Sequence, residues 1–117
     1  MKWFAVKYIY QIISGEGNHR PQFDEQIRLL ISESSSDALF KAQALARKFH
    51  QTFLNFRGEE VIWKFIGIAD LHEIQDPHDG LEVASVIHEP ANLKEFMDHT
   101  NKRKAFLTEV LYTVPID

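Results

Sequence analysis

Cysteine is absent from the 117 residues of the chain. Its absence excludes disulfides, iron–sulfur clusters, thiolate zinc sites and a cysteine nucleophile. Long hydrophobic runs are also missing, since no stretch approaches the roughly 18 apolar residues of a membrane-spanning helix. The apolar run of residues 2–13 is interrupted by Lys7 and Gln11 and leads to no small-residue cleavage site, which is not the pattern of a signal peptide. We expect a soluble, cytoplasmic protein without a membrane partner.

The motifs of common catalytic and nucleotide-binding sites are missing too. No serine lies in a Gly-x-Ser-x-Gly turn, and the serines of residues 34–36 are better explained as a helix cap. The glycine-containing loop of residues 14–22 leads into a strand pattern rather than a helix, so it does not suit phosphate binding. No His-Glu-x-x-His pair is present. These absences favour a non-enzymatic domain without a cofactor.

Acidic residues are in slight excess, with 17 of them against 13 basic residues and a formal net charge of −4. This balance disfavours a nucleic-acid partner, because binding to phosphates is driven mainly by Lys and Arg. Hydrophobic residues make up 44% of the chain and include nine Phe. A chain of this length and composition can bury a core of its own, so we expect one domain.

Alternation with a period of two predicts a pair of strands in the first third of the chain. In residues 2–13 one face carries Phe4, Val6, Tyr8, Tyr10 and Ile12. In residues 23–33 one face carries Phe23, Ile27, Leu29 and Ile31, which predicts a half-buried strand with its polar side toward solvent. The loop of residues 14–22 joins the two strands into an antiparallel hairpin.

The period then changes to that of a helix over residues 36–53. Ser35 or Ser36 is expected to cap its N-terminus. The apolar stripe expected to lie on the sheet consists of Leu39, Ala42, Leu45, Ala46, Phe49 and Phe53. The alanines within residues 38–46 allow a close approach to the sheet.

Residues 61–74 predict a strand that is apolar on both faces. Trp63 and Phe65 lie on one face, and Ile62, Ile66 and Ile68 lie on the other. Such a strand is usually central and covered on both sides. Residues 81–89 predict a fourth strand that Pro90 ends, and residues 91–117 are helical by pattern, with the polar stretch 98–104 marking where the helix would break into two.

The expected architecture is therefore α+β, with the order β-β-α-β-β. It consists of an antiparallel four-stranded sheet, one helix packed on one face, and a helical C-terminal extension. We assign residues 1–90 to the core and residues 91–117 to an extension of the same domain.

Three stretches of the sequence carry a resemblance to a known family. They are "WFAVKYIY", "FDEQIRLLISESSSDALFKAQALA" and "NFRGEEVIWKFIGIADLHEI". The most specific part is the Trp63-x-Phe65 strand that follows the turn at Gly58 and Glu59. In these stretches the chain resembles the bacterial domain of unknown function 4288. The resemblance implies a small bacterial α+β domain and implies no activity.

A polar stretch from Asp70 to Gly80 holds the candidate metal ligands, which are Asp70, His72, Asp76 and His78. Asp70 and His72 share a strand face, and the other two could join them from the turn, since a transition metal needs several such groups about 2.0–2.2 Å from the ion. Strand ends are commonly polar, however, and Asp-Pro and Asp-Gly are turn sequences. We expect a turn and no bound metal.

The sequence thus predicts a non-enzymatic protein-interaction or binding module that self-associates as a homodimer or binds another protein. Residues 91–114 are expected to fold over the strand face of Ile62, Ile66 and Ile68, on their own sheet or on that of a second subunit. The residues expected to provide that cover are Phe106, Leu107, Val110 and Leu111. One alternative is a small metal-dependent hydrolase that uses Asp70, His72 and His78. A weaker alternative is an RNA-binding accessory domain with a basic stretch at residues 102–104.

Overall fold

The computed structural model describes residues 1–49 and 52–112 of the chain. In chain order, its elements are β1 (Lys2–Ser14), β2 (Gln22–Ser32), α1 (Ser35–Ala46) followed by a 3-10 turn (Arg47–Phe49), β3 (Thr52–Leu54), β4 (Glu60–Ile74) and α2 (Leu93–Tyr112). The chain divides into two compact units, Met1–Ser85 and Val86–Asp117. The first unit contains all four strands and α1, and the second contains α2.

The four strands form one antiparallel sheet with the order β2-β1-β4-β3. The predicted α+β class, the four-stranded antiparallel sheet and the hairpin of β1 and β2 are confirmed. The identity of the fourth strand was wrong. Residues 81–89 form no strand, and the short β3 pairs with the start of β4 instead. The contact of this segment with β4 is a hydrogen bond in which the Val83 carbonyl accepts from the His72 ring.

The turn between β3 and β4 explains why Phe53 belongs to a strand and not to the helix stripe. The side-chain oxygen of Asn55 accepts hydrogen bonds from the backbone N–H groups of Arg57 and Glu59. Gly58 occupies the left-handed region with a φ of 76°, which an L side chain seldom adopts. The reversal brings Phe53 opposite Val61, and its ring packs 5.3 Å from that of Trp63.

The core lies between the sheet and α1, on what we term the first face of the sheet. Its buried residues are Phe4, Val6, Tyr8, Tyr10, Leu30, Ala38, Ala42 and Ala46. The hydroxyl of Tyr8 donates to the Ala42 carbonyl and that of Tyr10 to the Ala46 carbonyl, both at 2.9 Å. Because Ala46 ends the helix, its carbonyl has no partner within α1 and Tyr10 supplies one.

The helix presents its small side chains to the sheet. Ala38, Ala42 and Ala46 are buried, whereas Leu39 is 39% exposed. The predicted stripe was therefore right for Ala42 and Ala46 and wrong for Leu39. The cap also differs, since Ser34 accepts from the Asp37 N–H at 3.2 Å, one or two residues before the predicted position.

The strict alternation predicted for β4 is broken by two irregularities in its pairing with β1. Between Lys7 and Tyr8 the register passes over Ala69, and between Ile9 and Tyr10 it passes over Ile66. Each inserted residue shifts the side chains that follow to the other face. Ile68 therefore pairs with Tyr8 and packs against the core, on the face opposite to the predicted one.

The second unit contains α2, one continuous helix across the polar stretch 98–104, so the predicted break was wrong. Asn92 caps the helix by accepting from the Glu95 N–H at 3.1 Å. None of its described residues is buried. The predicted extension reaches residue 117, and residues 113–117 lie outside the described part of the chain. Among the described helices, none combines the length and the apolar character that crossing a membrane would need.

A larger side chain at Ala42 is expected to destabilise the fold, because the residue is fully buried between α1 and β1. Ala42→Leu should lower the free energy of unfolding by about 1–3 kcal/mol through overpacking. Ala44→Leu, at an exposed position of the same helix, is the matched control and should change it by less than about 0.5 kcal/mol. Thermal and denaturant unfolding of both variants test the contact, and equal stabilities would contradict it.

Stability is expected to fall above pH 10, because burial raises the pKa of Tyr8 from 10.0 to about 12. The neighbouring Tyr10 raises it further, and Arg28 opposes the shift. The folded chain keeps a proton that the unfolded chain releases, so stability is full below pH 10 and declines as the pH approaches 12. Melting temperatures of Tyr8→Phe should decline less steeply over this interval. The control Tyr112→Phe, which removes an exposed hydroxyl, should retain the slope of the parent chain.

Candidate functional site

The end of β4 places Asp70 and His72 together on the face of the sheet opposite α1, which we term the second face. The Nδ1 atom of His72 lies 3.4 Å from the Asp70 carboxylate, and its Nε2 atom lies 2.8 Å from the Val83 carbonyl. A carbonyl oxygen only accepts hydrogen bonds, so Nε2 carries the proton in this contact and has no lone pair for a metal. The pair thus attaches the segment after β4 to the sheet.

The other two candidate ligands lie in the turn that follows. The ring of His78 contacts the Asp79 carbonyl at 2.9 Å and the Gln75 side chain at 3.4 Å. Asp76 is exposed in the same turn. The structure therefore brings together Asp70 and His72 but directs His78 elsewhere. Over residues 1–49 and 52–112, no three His, Cys, Asp or Glu side chains are grouped as a metal site would require.

Three of the four candidates, Asp70, His72 and His78, border an open depression of about 670 Å³ at the end of β4. Its charged lining is acidic, with Asp70, Glu73 and Glu82 and neither Lys nor Arg. A depression of this charge does not favour a phosphate group or a nucleic-acid backbone.

A row of polar side chains on β2 lies on the first face of the sheet. The sequence had predicted that these side chains face solvent. The Asp24 carboxylate accepts from Gln26 at 2.7 Å and from the Trp63 indole N–H at 3.1 Å. The Gln26 carbonyl oxygen accepts from Arg28 at 2.9 and 3.2 Å. The Arg28 guanidinium lies 3.5 Å from the ring centroid of Phe49, a cation–π contact. These residues were not predicted from the sequence to form a site. The signal that could have found them is the recurrence of a polar residue at every second position of β2, at Asp24, Gln26 and Arg28.

The apolar side of β2 lies on the second face and is exposed. Phe23 is 58% exposed, Ile27 50% and Leu29 41%. The half-buried strand face predicted for these residues is thus uncovered within the first unit. On β1 and β4 the residues of the second face that extend the apolar surface are Trp3, Ile9, Ile13, Ile62 and Ile74. Charges of both signs lie among them, at Lys7, Glu25, Lys64 and Asp70.

The residues predicted to form an interface occupy different surroundings. Ile62 lies half-buried on the second face, Ile66 is 51% exposed at an irregularity of β4, and Ile68 is turned into the core. The four predicted on the C-terminal helix are all exposed, namely Phe106 at 51%, Leu107 at 49%, Val110 at 43% and Leu111 at 66%. Their role at an interface stays a prediction, and the position of Ile68 removes that residue from the second face.

The fold and this surface define an α+β domain whose antiparallel sheet is covered by one helix on one face. Residues 3–85 match the family described as a domain of unknown function (DUF4288), and the chain belongs to that family. The match confirms the resemblance seen in the sequence and ends where the first compact unit ends. No curated protein and no solved structure matches the chain.

Removing the His72 ring is expected to release the segment after β4. His72→Ala should increase hydrogen exchange at residues 81–85, because the Val83 carbonyl loses its partner, and should lower stability by about 1 kcal/mol. His78→Ala is the matched control, since its contacts stay within its own turn, and should leave that exchange unchanged. Both variants and the parent chain should melt at the same temperature with and without a chelator. A melting temperature that zinc raises in the parent chain and not in His72→Ala would instead support a metal site.

Proposed function

We propose that the chain is a non-enzymatic protein-interaction module that self-associates through the second face of its sheet. The observation that carries this proposal is the row of exposed apolar side chains on β2, formed by Phe23, Ile27 and Leu29. On the same face, β1 contributes Trp3, Ile9 and Ile13 to the apolar surface.

The size of the apolar surface supports binding. Contiguous exposed patches of this kind mark interaction surfaces more often than scattered single residues do. Burying each large side chain is worth about 1.5–3 kcal/mol relative to exposure, so covering the row contributes several kcal/mol. A binding partner is the means by which an uncovered sheet face gains this energy.

A second copy of the chain fits the charges of the second face. A two-fold contact uses the same surface on both copies, so each copy must present both the positive groups and the negative groups that pair with them. The second face presents both signs of charge, with Lys7 and Lys64 as positive groups and Glu25 and Asp70 as negative groups. A partner of one strong charge would leave half of these groups unpaired.

The helix α2 provides a further apolar surface for the same contact. It exposes Phe96, Met97, Leu107 and Val110, each between 39% and 49%. A sheet face and an amphipathic helix form a stable layer when they pack together. We propose that α2 of one copy lies on the second face of the other. If α2 instead covered the second face of its own chain, the protein would be a monomer. The oligomeric state therefore distinguishes the two arrangements.

The alternative functions have less support. A hydrolase built on Asp70, His72 and His78 would need these groups to converge, and the rings of both histidines are engaged by other acceptors. An RNA-binding role would draw on residues 102–104 of α2, but the depression at the end of β4 is acidic.

Placing a charge within the apolar row is expected to weaken self-association. Ile27→Glu should shift the full chain from dimer to monomer in sedimentation velocity, because an unpaired carboxylate would have to be buried. Phe40→Glu is the matched control, since Phe40 is 78% exposed on α1, away from the second face. It should leave the dimer intact. A parent chain that sediments as a monomer at all concentrations would contradict the proposal.

A further inference from the structure

The strand β2 lies at the edge of the sheet, with β1 on one side and no strand on the other among the described residues. It is 11 residues long, and Pro21 precedes it so that no proline interrupts it. Such an edge exposes a row of unpaired N–H and C=O groups that can pair with another strand. A feature that blocks pairing with another strand would be expected at the ends of β2.

One hydrogen bond identifies which residues point their backbone groups outward. The Lys41 ammonium donates to the Ile31 carbonyl at 2.8 Å. In an antiparallel sheet the N–H and C=O of one residue point to the same side. Ile31 and the other odd-numbered residues of β2 therefore direct their groups to the outer edge, and the even-numbered residues direct theirs to β1.

We propose that β2 pairs antiparallel with β2 of a second copy, with Gln26 on the two-fold axis. The inference rests on the proposed self-association and specifies its geometry. In this register Asp24 lies opposite Arg28 of the second copy, and Arg28 lies opposite its Asp24. On the second face Phe23 lies opposite Leu29 of the second copy. Each of these contacts occurs twice, as a two-fold axis requires.

The side chains select this register over its neighbours. A shift toward the N-terminus puts Glu25 on the axis against its own copy, and like charges directly opposite are destabilising. A shift toward the C-terminus puts Ile27 on the axis and places Asp24 opposite Leu30, so the carboxylate loses its cationic partner. The Asp24 and Arg28 positions also fall at pairs without backbone hydrogen bonds, where opposing side chains approach most closely.

The ends of the ladder match the same register. Pro21 would lie opposite Ile31 of the second copy. Pro21 has no N–H to donate, and the Ile31 carbonyl already accepts from Lys41. Between these ends the outward-facing residues form about eight main-chain hydrogen bonds. The two four-stranded sheets become one continuous sheet, and their apolar second faces join.

Exchanging the two charges tests the pairing in the full-length chain. Asp24→Arg places Arg opposite Arg28, and Arg28→Asp places Asp opposite Asp24, so each variant alone should dimerise at least about tenfold more weakly. Mixing the two variants restores both pairs and should give a heterodimer. The double variant D24R/R28D restores both pairs within one chain and should dimerise as the parent does. Glu33→Arg is the matched control, since Glu33 is an exposed acid that follows β2.

Sedimentation velocity measures the association, and melting temperatures monitor folding, because Asp24 and Arg28 also contact Trp63 and Phe49. Recovery of dimer in the mixture or in the double variant supports the register even if the single variants are less stable. A parent dimer that neither exchange nor mixing affects overturns the edge pairing and leaves the proposed self-association intact. A monomeric parent chain overturns both.

Discussion

The close approach of α1 to β1 is the contact on which the rest of this structure depends. Ala38, Ala42 and Ala46 bring the helix backbone near enough for the hydroxyls of Tyr8 and Tyr10 to reach helix carbonyls at 2.9 Å. The rings of the tyrosines fill the core, and their hydroxyls satisfy polar groups at the helix. This contact determines which face of the sheet is buried and therefore which face is available for binding.

The strand β2 is unusual because its polar side faces the helix layer and its apolar side is exposed. The row of Asp24, Gln26 and Arg28 can occupy the first face because each polar group has a partner and Arg28 packs on Phe49. A hydrogen-bonded polar group is tolerated where an unpaired one would be costly. As a consequence, Phe23, Ile27 and Leu29 are left for contacts beyond the first unit, and the interaction surface follows from the polar row.

Much of the fold could be predicted from periodicity. A pattern of period two predicted the hairpin of β1 and β2 and the long strand β4. A pattern of period 3.6 predicted the helix α1, which ends at Ala46. The short β3 was missed because Phe53 also fits a helical stripe, and only the turn at Asn55 distinguishes the two. The position of Ile68 was missed because an inserted residue in β4 is visible only in its pairing with β1. At the candidate site, the pair of Asp70 and His72 followed from their spacing, whereas the contact of His72 with Val83 did not.

By itself the sequence determined the class of the domain, its membership in a family of unknown function and the absence of thiol chemistry, because composition and local periodicity are properties of the chain alone. Tertiary structure decided which face of each strand is covered. That choice depends on the side on which α1 packs. The alternation in a strand such as β2 defines two faces but does not determine which of them the helix covers. The binding surface proposed for this protein is therefore a consequence of packing, although every residue in it is visible in the sequence.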